Sequence, residues 1–210
     1  VKQEAREARQ PILEVLATYP KQVLLAMGAR FAENGAFYIY SVFVLVYATQ
    51  HSGMDRGVVL NGILIAATLE LAAIPFFGAL SDRFGRRPVY LFGAVATAAL
   101  AYPLFWALDS GSTAVAWLGL SAVFVLSHAA MYAPQAAFLS ELFGTRVRYS
   151  GASLGAQLSS VVAGGLSPFI ATALLARYGR GALSLYVVFM AAVTIVAVAL
   201  ATETRDEAID

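Results

Sequence analysis

Six stretches of this sequence, 22–48, 57–80, 88–108, 114–138, 151–176 and 184–202, run almost without interruption through apolar residues. A run of about 20 such residues, wound as a helix, spans a hydrocarbon core of roughly 30 Å. Inside lipid no water satisfies the backbone, so an isolated spanning segment has to be helical. A β-barrel is excluded, because the runs are far longer than barrel strands and lack their in–out alternation. Charged residues collect instead in the short connectors "TQHSGMDR", "SDRFGRR", "DSGST", "LSELFGTRVRYS" and "RYGRGAL". The expected fold is an all-α membrane protein, a bundle of six transmembrane helices over 22–202. A cytoplasmic segment at 1–21 and a cytoplasmic tail at 203–210 flank it. Composition agrees: 210 residues that are 60% hydrophobic and 13% charged are too apolar for a soluble domain.

Lysine and arginine set the orientation, their excess marking the cytoplasmic side. Residues 1–21, the second and fourth connectors and the tail carry Lys2, Arg6, Arg9, Lys21, Arg83, Arg86, Arg87, Arg146, Arg148 and Arg205. The other side carries Arg56, Arg177 and Arg180. Both termini are therefore expected in the cytoplasm, as in a protein of the bacterial inner membrane. The net charge of +1 gives no reason to expect a nucleic-acid partner. Residues 1–21 are charged and contain Pro11 and Pro20, unlike a signal peptide. The opening Val1 in place of Met points to a piece of a longer chain. Without cysteine, the sequence has no thiol catalyst, disulfide or Cys-type zinc site. The motif H-E-x-x-H does not occur, and "GASLG" (151–155) opens an apolar helix instead of following a strand as a nucleophile elbow must. No enzyme activity, metal or cofactor is expected.

Against this apolar background, Arg30, Glu33, Glu70 and His128 stand out inside predicted spans. A charge at the bilayer centre costs roughly 2.5–3.5 kcal/mol, so three facing lipid would cost about 8–10 kcal/mol together. They are expected to face protein or water, and counting residues from each run's end puts all four in one layer near the midplane, slightly to the cytoplasmic side. Helical spacing places Arg30, Glu33, Asn34, Phe37, Tyr38 and Ser41 on one stripe of the first span, opposite Ala32, Ala36, Ile39 and Phe43. Trp117, Ser121, Phe124, His128, Met131, Tyr132 and Gln135 share a face of the fourth span; Ser153, Gln157, Ser160, Gly164 and Ser167 share one on the fifth. Spans three and six carry little that is polar beyond Thr97 and Thr194. Four helices are thus expected to converge on a wet cavity, with two as packing supports. Gly151, Gly155, Ser159 and Ala163 form a small-residue stripe suited to close helix approach.

The ionisable residues admit two readings. Arg30 could pair structurally with Glu33, or neutralise Glu70 across helices. Alternatively, its planar fork suits a carboxylate ligand. Glu70, set among aliphatic neighbours, and Glu33 are candidate proton carriers. So is His128, whose type titrates nearest physiological pH, although a histidine beside aromatics also serves simply as a packing group. Asn34, Tyr38, Tyr132, Gln135 and Gln157 are candidate substrate contacts.

The chain also echoes itself, R-[FY]-G-R recurring in "DRFGRRPV" (82–89) and "ARYGRGAL" (176–183) at an offset of 94. Two three-span units in tandem must be inverted, a common build of secondary transporters. The stretch "GALSDRFGRRPVY" (78–90) matches in full, and so resembles, the G-x-L-[SA]-D-R-x-G-R-[RK] loop of the major facilitator superfamily. "ELFGTRVRYSGASLG" (141–155) resembles the corresponding segment of its metabolite–proton symporters, the shikimate, α-ketoglutarate and proline/betaine permeases, which often have Pro where Gly144 stands. "ETR" (203–205) faintly resembles the ending of related carriers. The resemblance covers 11–205 and only the second half of such a twelve-span carrier. It implies proton-coupled symport of a small carboxylate or zwitterion by alternating access, with a six-helix first half and lipid as partners. It implies that Gly78, Asp82, Arg83, Gly85 and Arg86 form a gating loop, with Asp82 meeting a helix of the first half. Gly78 would allow close helix approach and Gly85 a sharp turn. The start of the fifth span, Ser150 to Ser153, would receive the first half's equivalent loop. An intramembrane enzyme using His128 with Ser153, and a non-transporting scaffold or dimerising half, are the competing readings.

Overall fold

The computed structural model describes residues 11–143 and 147–202. Lys2, Arg6, Arg9, Gly144, Arg146, Arg205 and the tail 203–210 lie outside the described residues. Every described element is helical. After a short helix α1 (Pro11–Thr18), inside the segment 1–21 expected to precede the bundle, come six long ones. They are α2 (Pro20–Gln50), α3 (Arg56–Phe84), α4 (Arg86–Asp109), α5 (Thr113–Glu141), α6 (Arg148–Tyr178) and α7 (Arg180–Leu200), each long and apolar enough to cross a membrane. They coincide with the six apolar runs and overshoot every end but the last by one to four residues, because helices continue into the polar interface until a cap or turn stops them. Helix α7 stops at Leu200, two residues short of the expected end. Asp55 starts α3 by accepting from the Gly57 and Val58 N–H groups. Gly85, at φ 106°, ends α3, and Gly179, at φ 76°, ends α6. These are equivalent positions in the R-[FY]-G-R echo, and both need a backbone that L side chains rarely adopt.

The packing obeys the same internal symmetry. Span one (α2) packs on spans five and six, span four (α5) packs on spans two and three, and α4 lies along α7. Exchanging the first three spans with the last three reproduces that pattern, as expected of two inverted three-helix repeats. Each seam is closed by a buried threonine. Thr97 on α4 is within 2.5 Å of Ser127 on α5. Thr194 on α7 accepts from the Ala32 N–H on α2 at 2.8 Å and donates to the Gly28 carbonyl at 2.9 Å. Both threonines are fully buried. Arg87, opening α4, donates to the Val198 and Ala199 carbonyls at the end of α7, neutralising that helix's exposed acceptors. At the other end of the same two helices Arg180, opening α7, pairs with Asp109 at the end of α4 at 2.6 Å.

Ala32, Ala36, Ile39 and Phe43 are buried, as the stripe analysis requires. The small-residue stripe on α6 also packs inward: Gly151 lies against Phe143, Gly155 against Ala26, and Ser159 and Ala163 are fully buried. Spans one, four and five each loosen to i→i+5 hydrogen bonding for part of their length, at Ile39–Phe43, Val123–Ala129 and Ser160–Gly165. Such π-helical stretches commonly occur at functional sites. All three adjoin one cavity, lined by Tyr38, His128 and Ser160.

Candidate functional site

Arg30, Glu33, Glu70 and His128 do form one layer, and they form it by direct contact. Arg30 Nε is 3.3 Å from Glu33 Oε2, one turn along α2. The other Glu33 oxygen, Oε1, is 3.3 Å from His128 Nε2 on α5. The opposite ring nitrogen, His128 Nδ1, pairs with Glu70 Oε1 on α3. The result is a linear array, Arg30–Glu33–His128–Glu70, carried by three spans. Glu33 is 3% exposed, and Glu70 and His128 are 7% exposed. Glu70 is therefore met by His128 and not by Arg30, which corrects one reading of the sequence. Among the described residues no such group is arranged to hold a metal ion, since both imidazole nitrogens already face carboxylate oxygens.

The His128 ring is held in place by stacking. Phe37 lies against one face with centroids 4.4 Å apart, and Tyr132 is stacked at 5.4 Å. This leaves only the edge of the ring, with its two nitrogens, free to engage the glutamates. The π-helical turn Val123–Ala129 carries His128 itself.

The array lines a cavity of about 470 Å³, together with Asn34, Tyr38, Tyr132 and Ser160. Asn34 Nδ2 donates to Ser160 Oγ at 2.7 Å, joining α2 to α6. Tyr38 and Tyr132 are each about half exposed, at 41% and 48%. Gln135 is elsewhere. It is buried, with Nε2 3.3 Å from the Tyr90 hydroxyl, and borders a second cavity of about 590 Å³ with Ser153. Arg30 borders both cavities. Gln157 is exposed on α6 and borders neither. Trp117, on the shared face of span four, donates to the Val58 carbonyl at 2.9 Å and packs on Gly62. Ser167 is buried at 3.2 Å from the Tyr186 hydroxyl.

At the "SDRFGRR" connector, Asp82 and Arg83 still belong to the last turn of α3, and Gly85 makes the turn. Arg86 donates to Ser81 Oγ at 2.9 Å, pairs with Asp82 and lies 3.9 Å from Glu141 at the end of α5. The Asp82 side chain is 67% exposed. Gly78 makes no close approach among the described residues, since a Cβ built there meets nothing within 4 Å.

Sequence reasoning missed two features. On the face opposite Gly85, Asp109 accepts from Tyr47 at 3.0 Å, Ser52 at 2.6 Å and Arg180, tying together the ends of spans one, three and six. The only available signal was a carboxylate ending an apolar run, which a solvated loop would also explain. Arg148, counted simply as a basic residue, borders the second cavity with Arg30.

The family model for sugar (and other) transporters matches residues 1–210. Among curated proteins, the shikimate transporter of Escherichia coli is 37% identical over 84% of this chain and 40% of its own length. The inner membrane metabolite transport protein YhjE of the same organism is 30% identical over 97% of this chain and 47% of its own. The ectoine/proline transporter ProP of Corynebacterium glutamicum is 30% identical over 95% and 40%. The chain thus spans less than half the length of these relatives. No solved structure matches it. With a family match over residues 1–210, six spanning helices and two inverted three-helix units, this chain belongs to the sugar (and other) transporter family of the major facilitator superfamily.

Proposed function

We propose that this bundle is the C-terminal half of a proton-coupled secondary transporter of the bacterial inner membrane, carrying a small carboxylate or zwitterion by alternating access. The observation that carries this reading is the buried array Arg30–Glu33–His128–Glu70 on a cavity wall. Buried ion pairs are an inefficient way to hold helices together, whereas an array open to a cavity can exchange both an anion and a proton. The curated relatives are named for shikimate, proline, betaine and ectoine, and every one of these molecules bears a carboxylate. Both termini and the Gly85 turn lie on the cytoplasmic side in this reading, following the excess of basic residues there.

The chemistry of the array supports proton coupling. Each His128 nitrogen faces a carboxylate oxygen, so both contacts are hydrogen bonds only when the trio holds two protons. A neutral imidazole supplies one; the second sits on the ring or on a glutamate. Losing one sets a nitrogen lone pair against an oxygen lone pair, and the three spans are then pushed apart. Arg30 supplies the anion site, its guanidinium shared between Glu33 and an incoming carboxylate. Asn34, Tyr38 and Tyr132 offer hydrogen bonds around it; Gln135 and Gln157 would serve substrate elsewhere along the path.

The test is uptake by the intact protein, as its gene encodes it, in proteoliposomes. Labelled shikimate, proline and glycine betaine are offered with and without an inward proton gradient. Arg30→Gln is expected to lower carboxylate uptake on the order of 100-fold, the scale of a lost charge-assisted bidentate contact, without reducing the protein in the membrane. Unchanged uptake rules out the binding role. The exposed Asp82–Arg86 pair fits a gate that opens and closes at the surface. Asp82→Asn should slow turnover severalfold and leave binding affinity within about twofold; a collapse of affinity would contradict the gating role.

A further inference from the structure

The two cavities that meet at Arg30 differ in charge. The first holds Arg30 together with Glu33 and Glu70, so its cation is already matched by carboxylates. The second is bordered by Arg30, Gln135, Ser140, Arg148, Tyr149 and Ser153, and no acidic residue among the described ones borders it. Arg148 Nε reaches only the Phe143 carbonyl, at 3.4 Å, and no carboxylate among the described residues pairs with it. Helix α6 begins at Arg148 with no side-chain cap and no acidic residue in its first turn. Tyr149, Ala152 and Ser153, in the opening turns of α6, line the cavity, so the positive end of the helix dipole adds to the Arg148 guanidinium, the charge that Glu33 does not offset. Gln135 is 6% exposed and contributes a buried amide. At about 590 Å³ the space exceeds that of the His128 cavity.

From this charge asymmetry we propose that the second cavity is a distinct carboxylate-binding station. In it Arg30 and Arg148 grip the anion from opposite ends, and the anion passes to the His128 cavity by staying on Arg30. The station rests on the proposed transport function and refines it, since it puts the anion's first stop away from Glu33 and Glu70, where two carboxylates would repel it. It lies beside the connector that joins spans four and five. The family resemblance brings the first half's loop to the same helix start, so loop and cargo would occupy it in turn.

The absence of cysteine from this chain makes the test direct. In the intact protein, with any cysteine outside this segment replaced by serine, Ser153→Cys is reacted with an anionic sulfonatoethyl and a cationic trimethylammonium-ethyl methanethiosulfonate in phosphatidylcholine vesicles. The anionic reagent is expected to be favoured about tenfold over its ratio on a free thiol, and Arg148→Gln to lower that preference severalfold, as the loss of one nearby charge predicts. Misfolding would also relax that ratio toward the free-thiol value, so the comparison is made on variants that remain monodisperse in gel filtration. Arg148→Lys, which keeps the charge, should retain the preference. Shikimate should slow the reaction and its uncharged methyl ester should not. A ratio indifferent to Arg148→Gln overturns the station. So does protection by phosphatidylglycerol but not by shikimate, which would make it a lipid headgroup site. Slower transport in Arg148→Gln without shikimate protection also overturns it, leaving a docking point for the loop alone. If the intact protein transports nothing yet the charge preference and protection persist, the transport reading fails and the station stands.

Discussion

In the His128→Gln variant, uphill accumulation of substrate driven by a proton gradient is expected to disappear while exchange of internal for external substrate persists. Glutamine carries a donor and an acceptor at the reach of imidazole, so it can still bridge Glu33 and Glu70 when one of them is protonated, but its amide cannot itself take up and pass on a proton as the imidazole does. His128→Ala is the harsher change. It removes the centre of the array and leaves two glutamates, 3% and 7% exposed, facing one another with Arg30 beside only one of them. Breaking a buried ion pair by deleting one partner costs about 3–5 kcal/mol, so the alanine variant should fall in both melting temperature and uptake. It should also lose the stacking of Phe37 and Tyr132 on the ring. The pair of variants separates coupling from packing. Proton-driven accumulation by the glutamine variant at the wild-type level would remove His128 from the coupling chemistry, whatever the alanine variant does.

The spans were legible in the sequence because lipid leaves a chain few options: a long apolar run must close its own hydrogen bonds. The depth of the charged layer was legible too, since counting residues from each run's end gives height in a helix. Which groups touch was not. Arg30 and Glu33 are neighbours by spacing alone, but the choice between Arg30 and His128 as partner of Glu70 depends on how three helices are rotated against one another, and that is decided by packing. Gln157 shows the limit of a stripe argument. It shares a face with Ser153 and Ser160 at ideal helical spacing, yet it borders neither cavity that they border, in a helix that passes into a π-helical stretch at Ser160. The π-helical stretch rotates only the side chains that follow Ser160, so it is the way α6 packs on α2 and α5, which spacing along one helix does not encode, that leaves Gln157 outside both cavities. Asp109 was hidden for another reason, its partners being 57 and 71 positions away in sequence.

Gly93→Leu should be among the most damaging single changes outside the array. A Cβ built on Gly93 comes within 2.7 Å of Met131 Cγ, 2.8 Å of the Ser127 carbonyl and 2.9 Å of the Met131 N–H nitrogen. Two of those three are backbone atoms and cannot swing aside, so α4 and α5 must separate. Overpacking of this kind costs about 1–3 kcal/mol where side chains can shift, and more where they cannot. The expected result is a several-fold drop in monodisperse protein by fluorescence-detected gel filtration and a lowered melting temperature. Gly78→Leu is the matched control, because among the described residues nothing lies within 4 Å of a Cβ built there, and it should melt as the wild type does. Gly93→Ala is the informative intermediate. Its single methyl still presses on the Ser127 carbonyl, the residue before His128, and on the turn that holds Thr97 against Ser127. The variant should therefore fold and remain in the membrane, yet couple poorly, because the imidazole edge would be displaced from one of its two glutamates. Wild-type melting in Gly93→Leu would mean that α4 and α5 do not pack this closely, and the register that places His128 between Glu33 and Glu70 would fall with it.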